Sequence, residues 1–120
     1  MFNPSDLGNF YGTENYYRHA FGKLLMTDGI FHMFRDGAGW LIDIIASYQG
    51  EKLDRQTEGF QLWKLKVNAD KSAVVTCQAD SNTPNLVSQK IDSTDFPMDE
   101  IKLYVEGEGN RRVCLLTSEH

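Results

Sequence analysis

The sequence has little cysteine, no long apolar run and no clustered basic residues, and each absence excludes a class of protein. Its two cysteines, Cys77 and Cys114, lie far apart and neither belongs to a CxxC pair. We therefore expect two reduced thiols in the core. No apolar run approaches the roughly 18 residues of a membrane helix, so we expect no membrane partner.

The N-terminal residues and the basic residues give two further exclusions. The first residues, MFNPSDLG, lack the basic and then apolar pattern of a secretory signal, so we expect a cytoplasmic protein. The longest basic run is Arg111–Arg112, whereas nucleic-acid-binding proteins carry clustered Lys and Arg side chains. We therefore expect no nucleic-acid partner.

Spacings typical of metal and catalytic sites are missing as well. His19, His32 and His120 form no HxH or HExxH pattern. The run DGAGW has two glycines, but it lacks the preceding strand and the third glycine of a dinucleotide-binding loop. We expect no metal site, no cofactor and no catalytic residue, and the sequence favours a protein that is not an enzyme.

Acidic residues, in contrast, are concentrated in one segment. Residues 92–108 hold six acids and one base, Lys102, and this segment alone supplies a charge equal to the formal net charge of −5. Such a stretch is typical of a solvated sheet edge or of a surface that attracts a basic partner. For the second alternative, Glu106 and Glu108 are candidate contacts.

Hydrophobic periodicity predicts helices in the first half of the chain. Thr13 can cap a short helix that runs through His19, and Thr27 can cap a second one. A further amphipathic helix is expected over about residues 38–49. Its apolar positions recur at i, i+3, i+4 and i+7 and are Leu41, Ile44, Ile45 and Tyr48.

Alternating apolar and polar residues predict strands in the second half, between residues 60 and 117. The sequence therefore predicts one α+β domain over residues 1–120, with a helical layer in residues 1–50. Two to three N-terminal helices pack on one face of a four- to five-stranded antiparallel sheet. The helix residues just named are expected to contact Trp63, Leu65, Val67 and Val75.

Several segments in this order resemble those of a known group of proteins: GTENYYRH, TDG, WLIDIIASYQ, FQLWKLKVN, STDFP and the closing LLTSEH. The group is a family of small, uncharacterised bacterial proteins often found on plasmids and phages. In relatives the last motif looks more like LPSEY, from which Thr117 and His120 depart. The resemblance implies a single α+β domain and a mobile-element setting, and it implies no catalytic residue.

Two groups of residues are candidates for binding. Tyr17, Arg18, Asp43 and Trp63 combine a cation, a carboxylate and aromatic surfaces that can line a pocket between the helices and the sheet. If Asp43 points into the core, its carboxylate needs Arg18, a histidine or a tyrosine hydroxyl as partner.

The second group is the loop that contains Asp95 and Phe96. This loop either presents Phe96 as an interaction tip, or buries that ring at the edge of the core while Asp95 caps the turn.

The expected function follows from these candidates. We expect a small binding protein that acts through protein–protein interaction, such as inhibition of a host or defence factor. The alternative is a small-molecule binder or small enzyme with a pocket between helices and sheet. A homodimer through a sheet edge or through the apolar helix is compatible with both.

Overall fold

The computed structural model describes residues 2–20, 22–50, 53, 56–57, 59–107 and 112–120. The helices with described bounds are α1 (Asp28–Met33), α2 (Gly39–Ser47) and the short 3-10 helices Pro4–Asn9 and Thr117–Glu119. The strands are β1 (Tyr17–Arg18), β2 (Leu25–Met26), β3 (Phe60–Val67), β4 (Ala73–Gln78), β5 (Asn85–Ile91), β6 (Glu100–Glu106) and β7 (Val113–Leu116).

These strands form one seven-stranded sheet with the order β1-β2-β7-β6-β3-β4-β5. All neighbouring strands are antiparallel except β2 and β7, which pair in parallel. The predicted α+β class is confirmed, but the sheet has seven strands where four to five are predicted. Residues 1–50, predicted as a helical layer, contain β1 and β2 as well as helices. The sheet is larger because two short N-terminal strands add to its β7 side.

The helix expected between Thr13 and His19 is replaced by an extended segment that ends in β1. The Thr13 hydroxyl accepts a hydrogen bond from the backbone N–H of Asp28 instead of capping a helix of its own. The backbone N–H of His19 donates to the carbonyl of Leu24, which closes the hairpin between β1 and β2. Contacts with residues later in the chain therefore override the local helical pattern.

Helix α2 lies where the sequence predicts it, but its buried stripe is rotated. Ile42 and Ala46 are buried, whereas Ile44 is half-buried and Tyr48 is 37% exposed. Leu41 and Ile45 belong both to the predicted stripe and to the observed buried stripe, and they are in the core. The core also contains the expected sheet residues Trp63, Leu65 and Val75, and Val67 packs at its margin.

A glycine separates the two helices. The segment Phe34–Ala38 continues the helical path from α1, but its backbone is non-helical at Asp36 and Gly37. Gly37 has a φ of 116°, which L side chains rarely adopt. The DGAGW run is therefore the point at which the helical path breaks between α1 and α2.

Glu119, near the C-terminal end of the described residues, forms hydrogen bonds with the first turn of α1. One carboxylate oxygen of Glu119 accepts hydrogen bonds from the Thr27 hydroxyl at 2.6 Å and from the N–H of Leu116 at 3.0 Å. Its other oxygen accepts from the N–H of Gly29 at 3.1 Å. The Thr27 hydroxyl in turn accepts from the N–H of Ile30, as expected of an N-cap.

Candidate functional site

An open groove of about 570 Å³ lies between the first turn of α2 and the end of the sheet. Its volume falls within the range of about 300–1,000 Å³ that is usual for ligand sites. The groove brings together an aromatic ring, an ammonium group, a carboxylate and two hydroxyl groups. The lining residues are Trp40, Lys71, Ile91, Ser93, Thr94 and Asp95.

Two backbone segments form the rim of this groove. The turn between β3 and β4 ends at Lys71, whose φ of 70° is unusual for a residue with a side chain. The backbone N–H of Thr94 donates to the carbonyl of Lys71 at 2.9 Å, which ties this turn to the loop that follows β5. The Thr94 hydroxyl accepts from the N–H of Phe96 at 3.1 Å and so fixes the next turn of the loop.

Phe96 is the anchor of that loop. Its side chain is buried, and its ring lies 5.6 Å from the ring of Phe2 and 6.3 Å from that of Trp40, in an edge-to-face contact with the latter. Asp95 is exposed and lines the groove. Phe96 therefore packs at the edge of the core, as one of the two expected arrangements has it, but the Thr94 hydroxyl and not Asp95 accepts the hydrogen bond of the turn.

Asp43 does not point into the core, but it contacts a histidine, one of the partners considered for a buried Asp43. Its Oδ1 atom lies 2.6 Å from Nε2 of His19, and the two side chains are 53% and 1% exposed. The His19 ring also packs edge-on against Phe34 at 5.5 Å. Periodicity gave no sign of this pair, because the segment that carries His19 is extended and not helical.

The other three residues of the first candidate group have separate environments. Tyr17 stacks on Phe31 with the ring centres 4.0 Å apart. Arg18 is exposed and donates a hydrogen bond to the carbonyl of Gly22 at 3.2 Å. Trp63 is buried beneath α2. Neither these three residues nor Asp43 line the groove.

The described acids of the segment 92–107 lie at opposite ends of β6. Glu106 lies at the end of β6 and pairs with Nε2 of His120 at 2.5 Å. The loop with Asp95 precedes the start of β6, and a seven-residue strand is about 20 Å long. Glu108, the remaining candidate contact, lies outside the described residues.

The cysteines are poor candidates for nucleophiles. Cys77 on β4 and Cys114 on β7 are free and buried. Burial raises the pKa of Cys77 from 9.0 to about 12. Burial and the nearby Glu119 carboxylate raise the pKa of Cys114 as well. Since the thiolate is the reactive form, neither thiol is activated near neutral pH.

The described residues also lack two other features. They contain no group of three or more His, Cys, Asp or Glu side chains able to hold a metal ion. Within the same residues, no helix has both the length and the apolar composition needed to cross a membrane.

The fold and the groove define a two-layer α+β protein with an open polar site at one end of its sheet. Over residues 1–120 the chain matches the model of a family of unknown function, DUF6876, and it belongs to that family. The searches of curated proteins and of solved structures returned no match to the chain.

Proposed function

We propose that this protein is a non-catalytic binding module whose groove receives a basic side chain of a partner protein. The proposal includes the mobile-element setting and the inhibition of a host or defence factor, for which the sequence resemblance is the support. The observation that carries the binding proposal is the presence of Trp40 and Asp95 in the same groove.

These two side chains match the chemistry of an arginine or lysine. A cation is attracted to the face of an indole ring, and a carboxylate forms charge-assisted hydrogen bonds with a guanidinium group. The exposed acids of the surrounding loop strengthen this attraction; they are Asp92, Asp95, Asp99 and Glu100. Lys71 supplies a donor for a backbone carbonyl or a carboxylate of the same partner segment.

Tryptophan fluorescence gives a direct test with an arginine-rich hexapeptide as the probe. The chain has two tryptophans, and Trp63 is only 1% exposed, so a change in emission on peptide addition reports mainly on Trp40. We expect saturable quenching by the peptide. The Asp95→Asn variant should bind about tenfold more weakly, because it loses a charged hydrogen-bond acceptor.

The matched control is Asp80→Asn, which removes one negative charge from the exposed turn between β4 and β5. The Asp80→Asn and Asp95→Asn substitutions change the net charge equally. Equal losses of affinity in the two variants would therefore show that the peptide is attracted non-specifically by the negative charge of the protein. That result, or unchanged quenching in Trp40→Phe, would contradict docking in the groove.

A small-molecule ligand is the second candidate, and the Ser93 and Thr94 hydroxyls favour it. Two hydroxyls beside a carboxylate and an ammonium group suit a polar ligand such as a zwitterion or a polyol. A ligand at 100 times its dissociation constant stabilises a protein by about 2.7 kcal/mol, so a thermal-shift screen of metabolites detects it. The arginine-rich peptide would then give no quenching.

A homodimer is compatible with either candidate. Within the described residues β5 pairs only with β4, so one side of its backbone is open to a second copy. Light scattering across protein concentration distinguishes a dimer from a monomer.

A further inference from the structure

The two faces of the sheet differ in composition. On β3, Trp63 and Leu65 are in the core that the sheet shares with α2. Since successive side chains of a strand point to opposite faces, Lys64 and Lys66 lie on the other face. We call this second face, on which neither α1 nor α2 packs, the open face.

Strand register places two more lysines on the open face. Residues that pair directly across antiparallel strands have side chains on the same face. Lys102 of β6 is paired with Lys64. Lys90 of β5 is paired with Val74, which is also paired with Lys66. The open face therefore carries four lysines from three strands.

The four lysines outnumber the two acids that β6 places on the same face, Glu100 and Glu106. Lys66, Lys90 and Lys102 are exposed, Lys64 is half-buried, and none of the four forms an ion pair in this part of the chain. Lys66 has a carboxylate opposite it, Glu100, whereas Lys64 faces Lys102. Like charges directly opposite each other destabilise a sheet, so solubility alone does not account for this arrangement.

Aromatic rings adjoin the lysines on the same face. Tyr104 follows Lys102 by two residues along β6 and therefore shares its face. The Tyr104 ring centre lies 5.1 Å from that of Phe60 and 5.1 Å from that of His120. All three rings are at least partly accessible to solvent. The open face thus combines cationic groups with flat stacking surfaces.

We propose that the open face binds single-stranded nucleic acid, with phosphates on the lysines and unpaired bases on the rings. Lysines that neutralise phosphates release counterions, and aromatic side chains on a sheet stack with bases that are not engaged in a duplex. This proposal goes beyond docking at the groove, and it replaces the expectation of no nucleic-acid partner. That expectation came from runs along the sequence, whereas these lysines cluster only across strands.

The net charge of −5 does not oppose this assignment. Neighbouring strands lie about 4.8 Å apart, and alternate residues of a strand about 7 Å apart. These spacings are shorter than the screening length of about 8 Å at physiological salt. A phosphate at the open face therefore interacts mainly with the residues of that face, where four lysines outnumber Glu100 and Glu106 of β6. The exposed acids of the loop before β6 contribute less.

The test measures fluorescence anisotropy of a labelled oligothymidylate of about a dozen nucleotides over a range of salt concentrations. We expect wild type to bind, with an affinity that falls steeply as salt rises. The double variant Lys64→Gln/Lys102→Gln should reduce the salt slope by about 1.4, because each phosphate contact contributes about 0.7 for a single strand. Tyr104→Leu should weaken binding about tenfold at an unchanged slope.

Lys23→Glu is the control, because it changes the net charge as much as the double variant but replaces an exposed lysine in the turn between β1 and β2. It should bind the oligonucleotide as wild type does. Circular dichroism establishes that each variant is folded. Absence of wild-type binding at low salt, or equal losses in the control and the double variant, would overturn the proposal. Stronger competition by polyglutamate than by the unlabelled oligonucleotide would also overturn it.

Discussion

At the scale of single residues, Gly29 shows why a short motif need not be a functional site. A Cβ atom at this position would lie 2.5 Å from Cδ1 of Leu116 and 2.8 Å from Oε1 of Glu119. The absence of a side chain lets the C-terminal segment approach the first turn of α1. The TDG and SEH segments, about 90 residues apart, therefore form one hydrogen-bonded structural element.

Gly29→Ala should destabilise the protein although alanine is the better helix former. The gain in helix propensity is about 1 kcal/mol, but overpacking of a tight contact typically costs about 1–3 kcal/mol. We expect the free energy of unfolding in urea to fall by about 1 kcal/mol. Gly8→Ala is the control, since its Cβ would have nothing within 4 Å. Equal stability of Gly29→Ala and wild type would show that Glu119 moves aside at no cost.

The sequence predicts part of this arrangement. The N-cap role of Thr27 follows from local spacing and is confirmed. The contact with Glu119 does not follow from spacing, because the two residues meet only after the sheet has formed. The same limit applies to the groove. The loop with Asp95 stands out in the sequence, whereas Trp40 and Lys71 join it only through folding.

At the scale of elements, two buried amides join the end of α2 to β3. Gln49 and Gln61 exchange side-chain hydrogen bonds of 2.9 and 3.0 Å. Oε1 of Gln61 also accepts from Nε1 of Trp63 at 2.7 Å, and Nε2 of Gln49 donates to the carbonyl of Ile45. Buried amides without partners are costly, so this network favours one register of α2 on the sheet.

Gln61→Leu should therefore cost more stability than Gln49→Leu. The first change leaves the Gln49 side-chain oxygen and the Trp63 indole N–H without a partner, while Nε2 of Gln49 keeps the Ile45 carbonyl. We expect it to cost about 2–3 kcal/mol. The second change leaves the bond between Gln61 and Trp63 intact. Urea unfolding of both single variants and of the double variant measures the coupling free energy between Gln49 and Gln61.

The control for this pair is Gln89→Leu. Gln89 accepts a hydrogen bond from the Tyr48 hydroxyl at the surface, where water can replace it. We expect the free energy of unfolding of Gln89→Leu to differ from that of wild type by no more than about 0.5 kcal/mol. If Gln61→Leu is no more costly than this control, the buried amide network contributes no net stability.

Periodicity predicts the position of α2 and not its orientation. Leu41, Ile42, Ile45 and Ala46 form as regular a stripe as the one expected from Leu41, Ile44, Ile45 and Tyr48. Packing against the sheet decides between the two stripes, and the position of Gln49 opposite Gln61 fits the observed one. For strands as short as β1 and β2, the pairing partner decides the structure, and local pattern carries little information.

At the scale of the whole molecule, both thiols report on opening of the core. Cys77 lies on β4 and Cys114 on β7, and both belong to the same buried cluster. With a pKa of about 12, Cys77 has a thiolate fraction of about 10⁻⁴ at pH 8. Iodoacetamide at pH 8 should leave native protein unlabelled and should label both cysteines in urea. Rapid labelling of native protein, measured by mass spectrometry, would contradict the burial of the thiols.

The raised pKa of Cys77 also gives a pH dependence with a definite sign. Between its ordinary value of 9.0 and about 12, the thiol is ionised in the unfolded chain and neutral in the folded protein. Stability contributed by the neutral thiol is complete below about pH 9 and is lost as the pH rises through this window. The urea midpoint should therefore fall between pH 8 and pH 10, and by less in Cys77→Ala.

Because β2 pairs in parallel with β7, the N-terminal strands can join the sheet only after β7 has been synthesised. β7 lies between β2 and β6, yet its residues follow those of every other strand along the chain. The hairpin of β1 and β2 has no neighbour on its inner side until β7 is in place. During synthesis, β1 and β2 therefore cannot join the rest of the sheet until β7 has left the ribosome.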